Sequence, residues 1–151
     1  MAQPIKGDAM KVELKWIIGQ RIKEMGKQDY TWFFDFDGGG SITTETTWRL
    51  VTAEGIKATS EDHGHKFGLP TPLDVIDVTK KAIGQETIKQ YNVDPKTGDL
   101  LLYFDSNCEL QFLNLSSGYE SWHIVHGTQE IICMGGGKLQ KLEKDISKPT
   151  K

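Results

Sequence analysis

Residues 99–125, DLLLYFDSNCELQFLNLSSGYESWHIV, constrain the fold of this chain more than any other stretch. They read as a strand over 100–104, a tight turn at Ser106-Asn107 and a strand over 109–115. A glycine-containing turn at Ser116-Ser117-Gly118 and a returning strand over 119–125 that carries Trp122 follow. An echo lies at residues 30–51, YTWFFDFDGGGSITTETTWRLV. There Tyr30, Trp32, Phe34 and Phe36 fall on one face at period two, the spacing of a half-buried strand. Asp37-Gly38-Gly39-Gly40 supplies the positive φ that a tight hairpin turn needs. The threonine-rich residues 41–47 form the next strand, and 48–51 a third.

The two stretches belong to halves that can be laid over one another, about 16–55 and 72–134. Ile18-Gly19-Gln20 matches Ile83-Gly84-Gln85, Phe36-Asp37 matches Phe104-Asp105, and Trp48-Arg49-Leu50-Val51 matches Trp122-His123-Ile124-Val125. The offset drifts along the chain, so short insertions are required. Between the halves, residues 72–83 predict the clearest helix, with Leu73, Ile76, Lys80 and Ile83 on one stripe and Val75 and Ala82 beside it. Pro72 suits its first turn, Asp74 its N-terminus, Lys80 and Lys81 its C-terminal dipole, and Gly84 ends it. Residues 9–18 fit either a strand or an N-terminal helix, and 21–25 a short strand. Residues 60–71 read as a loop, 86–93 as a strand, 94–98 as a turn and 130–134 as a last strand stopped by Gly135-Gly136-Gly137. The lead-in over 1–8 is loose and the tail over 145–151 frayed. The expectation is one α+β domain over 1–151, mostly antiparallel sheet built from two pseudo-repeated β-meanders. They share a core of Trp32, Phe34, Phe36, Trp48, Leu100, Leu102, Phe104, Trp122 and Ile124.

With 151 residues, the chain is long enough to bury such a core without staples. A net charge of −3 argues against a general nucleic-acid binder. No run of apolar residues is long enough for a membrane span, and the start lacks the apolar core of a signal peptide, so a cytoplasmic protein is expected. Cys108 and Cys133 sit in apolar strand settings, as buried thiols or as one disulfide, without metal-site spacing.

Chemistry-bearing residues are few. Glu61-Asp62-His63-Gly64-His65 offers a His-x-His pair beside carboxylates, a weak divalent-metal signal; the plainer readings are a solvated loop anchored by Gly64 and Gly68, or a binding loop held by the scaffold. Glu120, if it lies on a strand, shares a face with Trp122 and Ile124, while His123 points to the other face; a structural carboxylate is expected there. Asp37-Gly38-Gly39-Gly40 precedes a strand and lacks the lysine of a phosphate loop. No enzyme constellation and no cofactor are expected.

Charge is segregated along the chain. Residues 97–137 hold Asp99, Asp105, Glu109, Glu120 and Glu130 with no lysine or arginine. Residues 28–48 hold Asp29, Asp35, Asp37 and Glu45, again with neither. Such faces steer basic partners, although solubility and edge protection produce the same pattern.

Several strings resemble a group of small bacterial proteins of unassigned biochemical activity that occur beside polymorphic or contact-dependent toxins as candidate immunity proteins. These are WRL after an acidic hairpin, Asp62-His63-Gly64 with Phe67-Gly68, GDLLLYF, GYESW and the closing GGG, within residues 16–137. The resemblance implies a cytoplasmic antidote that binds one toxin domain, often a nuclease with a basic cleft, and blocks it. The partner-binding residues expected are Asp35, Asp37, Glu45, Asp62, His63, Asp105, Glu109 and Glu120. The alternatives are a small enzyme or metal-dependent protein using His63, His65 and Glu120, and a ligand-binding or self-associating module.

Overall fold

Alternation decides the architecture, and the strand β2, Thr31–Phe36, shows it most plainly: Trp32, Phe34 and Phe36 are buried while Thr31, Phe33 and Asp35 face outward. The computed structural model describes residues 13–143. Around β2 lie β1 (Ile22–Gln28), β3 (Ser41–Thr44), β4 (Trp48–Thr52) and β5 (Gly55–Thr59). The helix α1 (Val75–Ile83) leads to β6 (Ile88–Val93), β7 (Leu100–Phe104) and β8 (Glu109–Phe112), and then to β9 (Trp122–His126), β10 (Gln129–Cys133) and β11 (Leu139–Glu143). All pairings are antiparallel, in a six-stranded sheet ordered β1-β2-β3-β9-β10-β11 and a five-stranded sheet ordered β5-β4-β8-β7-β6. The chain is therefore α+β, mostly sheet with one helix between strands.

The inner faces meet through aromatic side chains. Phe34 of one sheet lies edge-on to Trp48 and Phe112 of the other, at 5.3 and 5.0 Å between ring centroids. All nine core residues expected from sequence are buried. Tyr30 is not among the core: it precedes β2 and is 81% exposed.

The halves repeat at the level of individual bonds. β1 carries a bulge between Ile22 and Glu24 opposite Phe36, and β6 one between Ile88 and Gln90 opposite Phe104. Asp37 Oδ1 accepts from the Arg21 N–H at 3.0 Å, and Asp105 Oδ2 from the Thr87 N–H at 3.2 Å. Gln20 Oε1 accepts from the Gly38 N–H as Glu86 Oε1 does from the Ser106 N–H. The structural mate of Gln20 is thus Glu86, so the matched Ile-Gly-Gln strings stand one residue out of register. The hairpins are also exchanged: β4–β5 pairs with β8 of the second meander, and β9–β10 with β3 of the first. Each sheet is built from both halves.

Other expectations need correction. The helix starts three residues after Pro72, with Asp74 as its cap accepting from the Ile76 and Asp77 N–H groups. Val75, Thr79 and Ile83 are buried, and Leu73, Ile76 and Ala82 pack against the core beside them, so of the expected stripe only Lys80 is misplaced, its position on the inner face being taken by Thr79. Packed against β5 and β1, α1 spans the edges of the two sheets, and there Lys80 reaches Glu24 at 3.1 Å. β5 is a strand that the sequence does not mark, because only Ala58 of its five residues is buried. The ambiguous segment before Gly19 holds a single 3-10 turn at Lys15–Ile17, and its residues before Glu13 lie outside the described residues, as do 1–8 and 145–151. Both cysteines are buried and unpaired.

Candidate functional site

The outer face of the six-stranded sheet collects the carboxylates. Strand register sets Asp35, Ser41, Val125, Glu130 and Leu142 in one row across it, and Phe33, Thr43, His123, Ile132 and Gln140 in the next. Phe33 lies over Gly26, where a Cβ would stand 2.9 Å from its ring. Glu45 follows β3 directly, and its Oε2 accepts from the Thr31 hydroxyl at 3.3 Å. Two shallow grooves cross this face, of about 720 and 560 Å3, and both are lined by Thr31, Thr43 and Glu45. Tyr30 borders the first and Tyr119 the second, each 81% exposed. The four central strands, β2, β3, β9 and β10, contain no lysine or arginine.

Glu120 corrects the sequence expectation twice. It lies before β9 and is exposed, so it is not a core-face carboxylate. Its Oε1 is 2.8 Å from His123 Nε2, the pair that regular alternation argued against. The ring's Nδ1 stands 3.5 Å from Glu130 Oε2. The segment carrying Tyr119 and Glu120 is fixed from beneath by the glycine triplet. The Gly136 N–H donates to the Ser116 carbonyl at 2.8 Å, and Gly135 sits directly on the Gly118 backbone with no room for a Cβ. Ser116 Oγ accepts from the Gly118 and Tyr119 N–H groups. GYESW and GGG, the most distinctive strings of the sequence, are therefore two sides of one contact.

The structure disperses the remaining expected residues. Asp37 and Asp105 are turn ligands at equivalent positions, Asp105 also accepting from the Thr87 hydroxyl at 3.0 Å. Glu109 lies on the outer face of the five-stranded sheet, where it accepts from Gln111 Nε2 at 2.9 Å. Nearby burial, then the Glu109 charge, raises the pKa of the Tyr103 hydroxyl. Asp62 closes a 3-10 turn, Ser60–Asp62, after β5. His63 Nδ1 accepts from the Val75 N–H at 3.3 Å, and its ring lies edge-on to Trp32 at 5.4 Å. His65 stacks on Phe67. Among the described residues, no group of three or more His, Cys, Asp or Glu side chains is placed to hold a metal ion. The Cys133 thiol is pushed up by burial.

Pseudo-symmetry supplies an internal comparison for the acidic face. By strand pairing, the mates of Asp35, Glu45, His123 and Glu130 are Tyr103, Leu113, Arg49 and Ile56 on the other sheet. There Arg49 Nε donates to Gln111 at 2.6 Å. The same backbone thus folds with an aromatic, two aliphatic residues and a cation at these positions, so the fold does not demand carboxylates there. Sequence reasoning missed Glu130, Tyr30 and Tyr119 as site residues. Glu130 carried a signal, a carboxylate within a basic-free stretch, but only register brings it beside His123.

Comparison of the chain with protein-family models, with curated proteins and with solved structures gives no match.

Proposed function

We propose that this protein is an immunity-type antagonist that docks the basic surface of a protein toxin domain of the nuclease kind on the outer face of its six-stranded sheet. One observation carries the reading: Asp35, Glu45, Glu120 and Glu130 gather on a face whose four central strands hold no lysine or arginine. A face of one sign steers an oppositely charged partner and excludes polyanions. Tyr30 and Tyr119, exposed at its two grooves, supply the aromatic area on which binding hot spots are built. The toxin as partner, and action in the cytoplasm, follow from the sequence resemblance. No helix among the described residues is long and apolar enough to cross a membrane.

The test is capture and rescue with the toxin domain encoded beside this chain. Co-expression should restore growth, and purified protein should bind at sub-micromolar concentration. Charge reversal at Glu45 and Glu130 should slow association and flatten its salt dependence, whereas reversal at Glu109 should not. No binding at micromolar concentration together with no rescue overturns the proposal.

A further inference from the structure

We propose that His123 is a proton-operated latch on the acidic face, tying up Glu120 and Glu130 when its ring is charged and freeing them when it is neutral. Its use in docking rests on the function proposed above; the latch itself does not. The imidazole stands between two carboxylates, with Nε2 2.8 Å from Glu120 Oε1 and Nδ1 3.5 Å from Glu130 Oε2. A neutral ring carries one N–H, so one nitrogen would turn a lone pair toward a carboxylate oxygen. Only the imidazolium presents a proton to both. Among the described residues, its cross-strand neighbours on β3 and β10 bring no competing cation. On β3 the opposite residue is Thr43, and on β10 it is Ile132, with Glu130 diagonal. The segment before β9 contributes Tyr119 and Glu120, and Glu45 borders the same groove.

The charged latch cancels one unit of negative charge and holds Glu120 against the sheet. In the neutral latch Glu120, half-exposed on an irregular segment, is free to meet a partner's cation. Partner cations and the ring proton therefore compete for the same two carboxylates. Binding of a basic ligand should release protons and weaken as pH falls from 8 to 5.5. One linked proton limits the slope to about tenfold per pH unit, and solvent screening reduces the expected change to about three- to tenfold over the window.

Two measurements on the full chain test this. Carbon-detected NMR should show the Glu120 and Glu130 carboxyl resonances moving between pH 5.5 and 8 in step with the His123 ring carbons. His123→Asn should abolish that movement. Carboxyl resonances flat across this window in the wild type overturn the latch. Binding of a nona-arginine peptide should tighten toward pH 8 in the wild type and lose that dependence in His123→Asn. Coupled resonances without peptide binding uphold the latch and count against the docking face. Peptide binding with equal pH dependence in both proteins overturns the latch as its regulator.

Discussion

Replacing Asp105 by alanine separates a turn ligand from a partner contact. Asp105 Oδ2 accepts from both the backbone N–H and the hydroxyl of Thr87, at 3.2 and 3.0 Å, and so joins the start of β6 to the β7–β8 turn. Two hydrogen bonds to a charged acceptor, discounted because the site is exposed, amount to about 1–2 kcal/mol. For a domain of this size that lowers the melting temperature by about 2–8 °C. Asp37→Ala removes one bond at 3.0 Å and a 3.9 Å ion pair with Arg21, so it should cost less than Asp105→Ala. Glu45→Gln, on the acidic face, should change stability by less than about 0.5 kcal/mol. Urea unfolding followed by tryptophan fluorescence checks all three, with an unchanged denaturant slope showing that only stability moved. If Asp105→Ala unfolds like the wild type while weakening capture of the toxin domain, the turn-ligand assignment is wrong.

Phe34→Ala removes the ring seated against Trp48 and Phe112 and should cost about 3–5 kcal/mol, read as a lower urea midpoint. Gly135→Ala forces a Cβ into the Gly118 backbone; it should cost about 1–3 kcal/mol and raise amide exchange over residues 116–121 before other segments respond. The carboxyl of Asp94 is held below its usual value by the N–H groups of Lys96, foremost, and Thr97. Its stabilising contribution is full above the unfolded pKa and disappears as pH falls through the lower folded value. The urea midpoints of the wild type and Asp94→Asn should therefore differ at pH 7 and converge well below pH 3.8. Cys133 should resist iodoacetamide at pH 8 in the folded protein and react once unfolded, as mass spectrometry would show.

What was legible in the sequence is what local chemistry writes. Period-two aromatics gave β2, Leu100–Phe104 was bounded correctly on both sides, and Asp37 and Asp105 marked equivalent turns. The helix face was legible through Ile76 and Ile83 but one position was misplaced, because Thr79 is buried against the sheet edges while Lys80 turns outward to Glu24, and a buried threonine leaves no hydrophobic mark in the sequence. β5 was obscured for a related reason: its pairing with β4 provides the stability, while Gly55, Ile56 and Lys57 remain exposed. The exchange of hairpins between halves leaves no local mark, since a strand's sequence does not state which meander it joins.

The candidate site was less legible because a count of charges along a chain cannot separate carboxylates that face solvent from those that close turns. Both meanders look acidic in sequence. In the folded protein, Asp99 accepts from the Asn114 N–H, Asp105 from Thr87 and Glu109 from Gln111, so these carboxylates of the second meander are engaged locally. Glu120 and Glu130 belong to β9 and its surroundings, which register onto β3 of the first half. They consequently join Asp35 and Glu45 across the sheet. Two acidic segments in sequence thus contribute to one acidic face in space, assembled from both halves, while its pseudo-symmetric counterpart carries Arg49 and Tyr103 beside a single carboxylate on its strands, Glu109. On the function proposed above, a partner that meets only this face would account for the difference between the two.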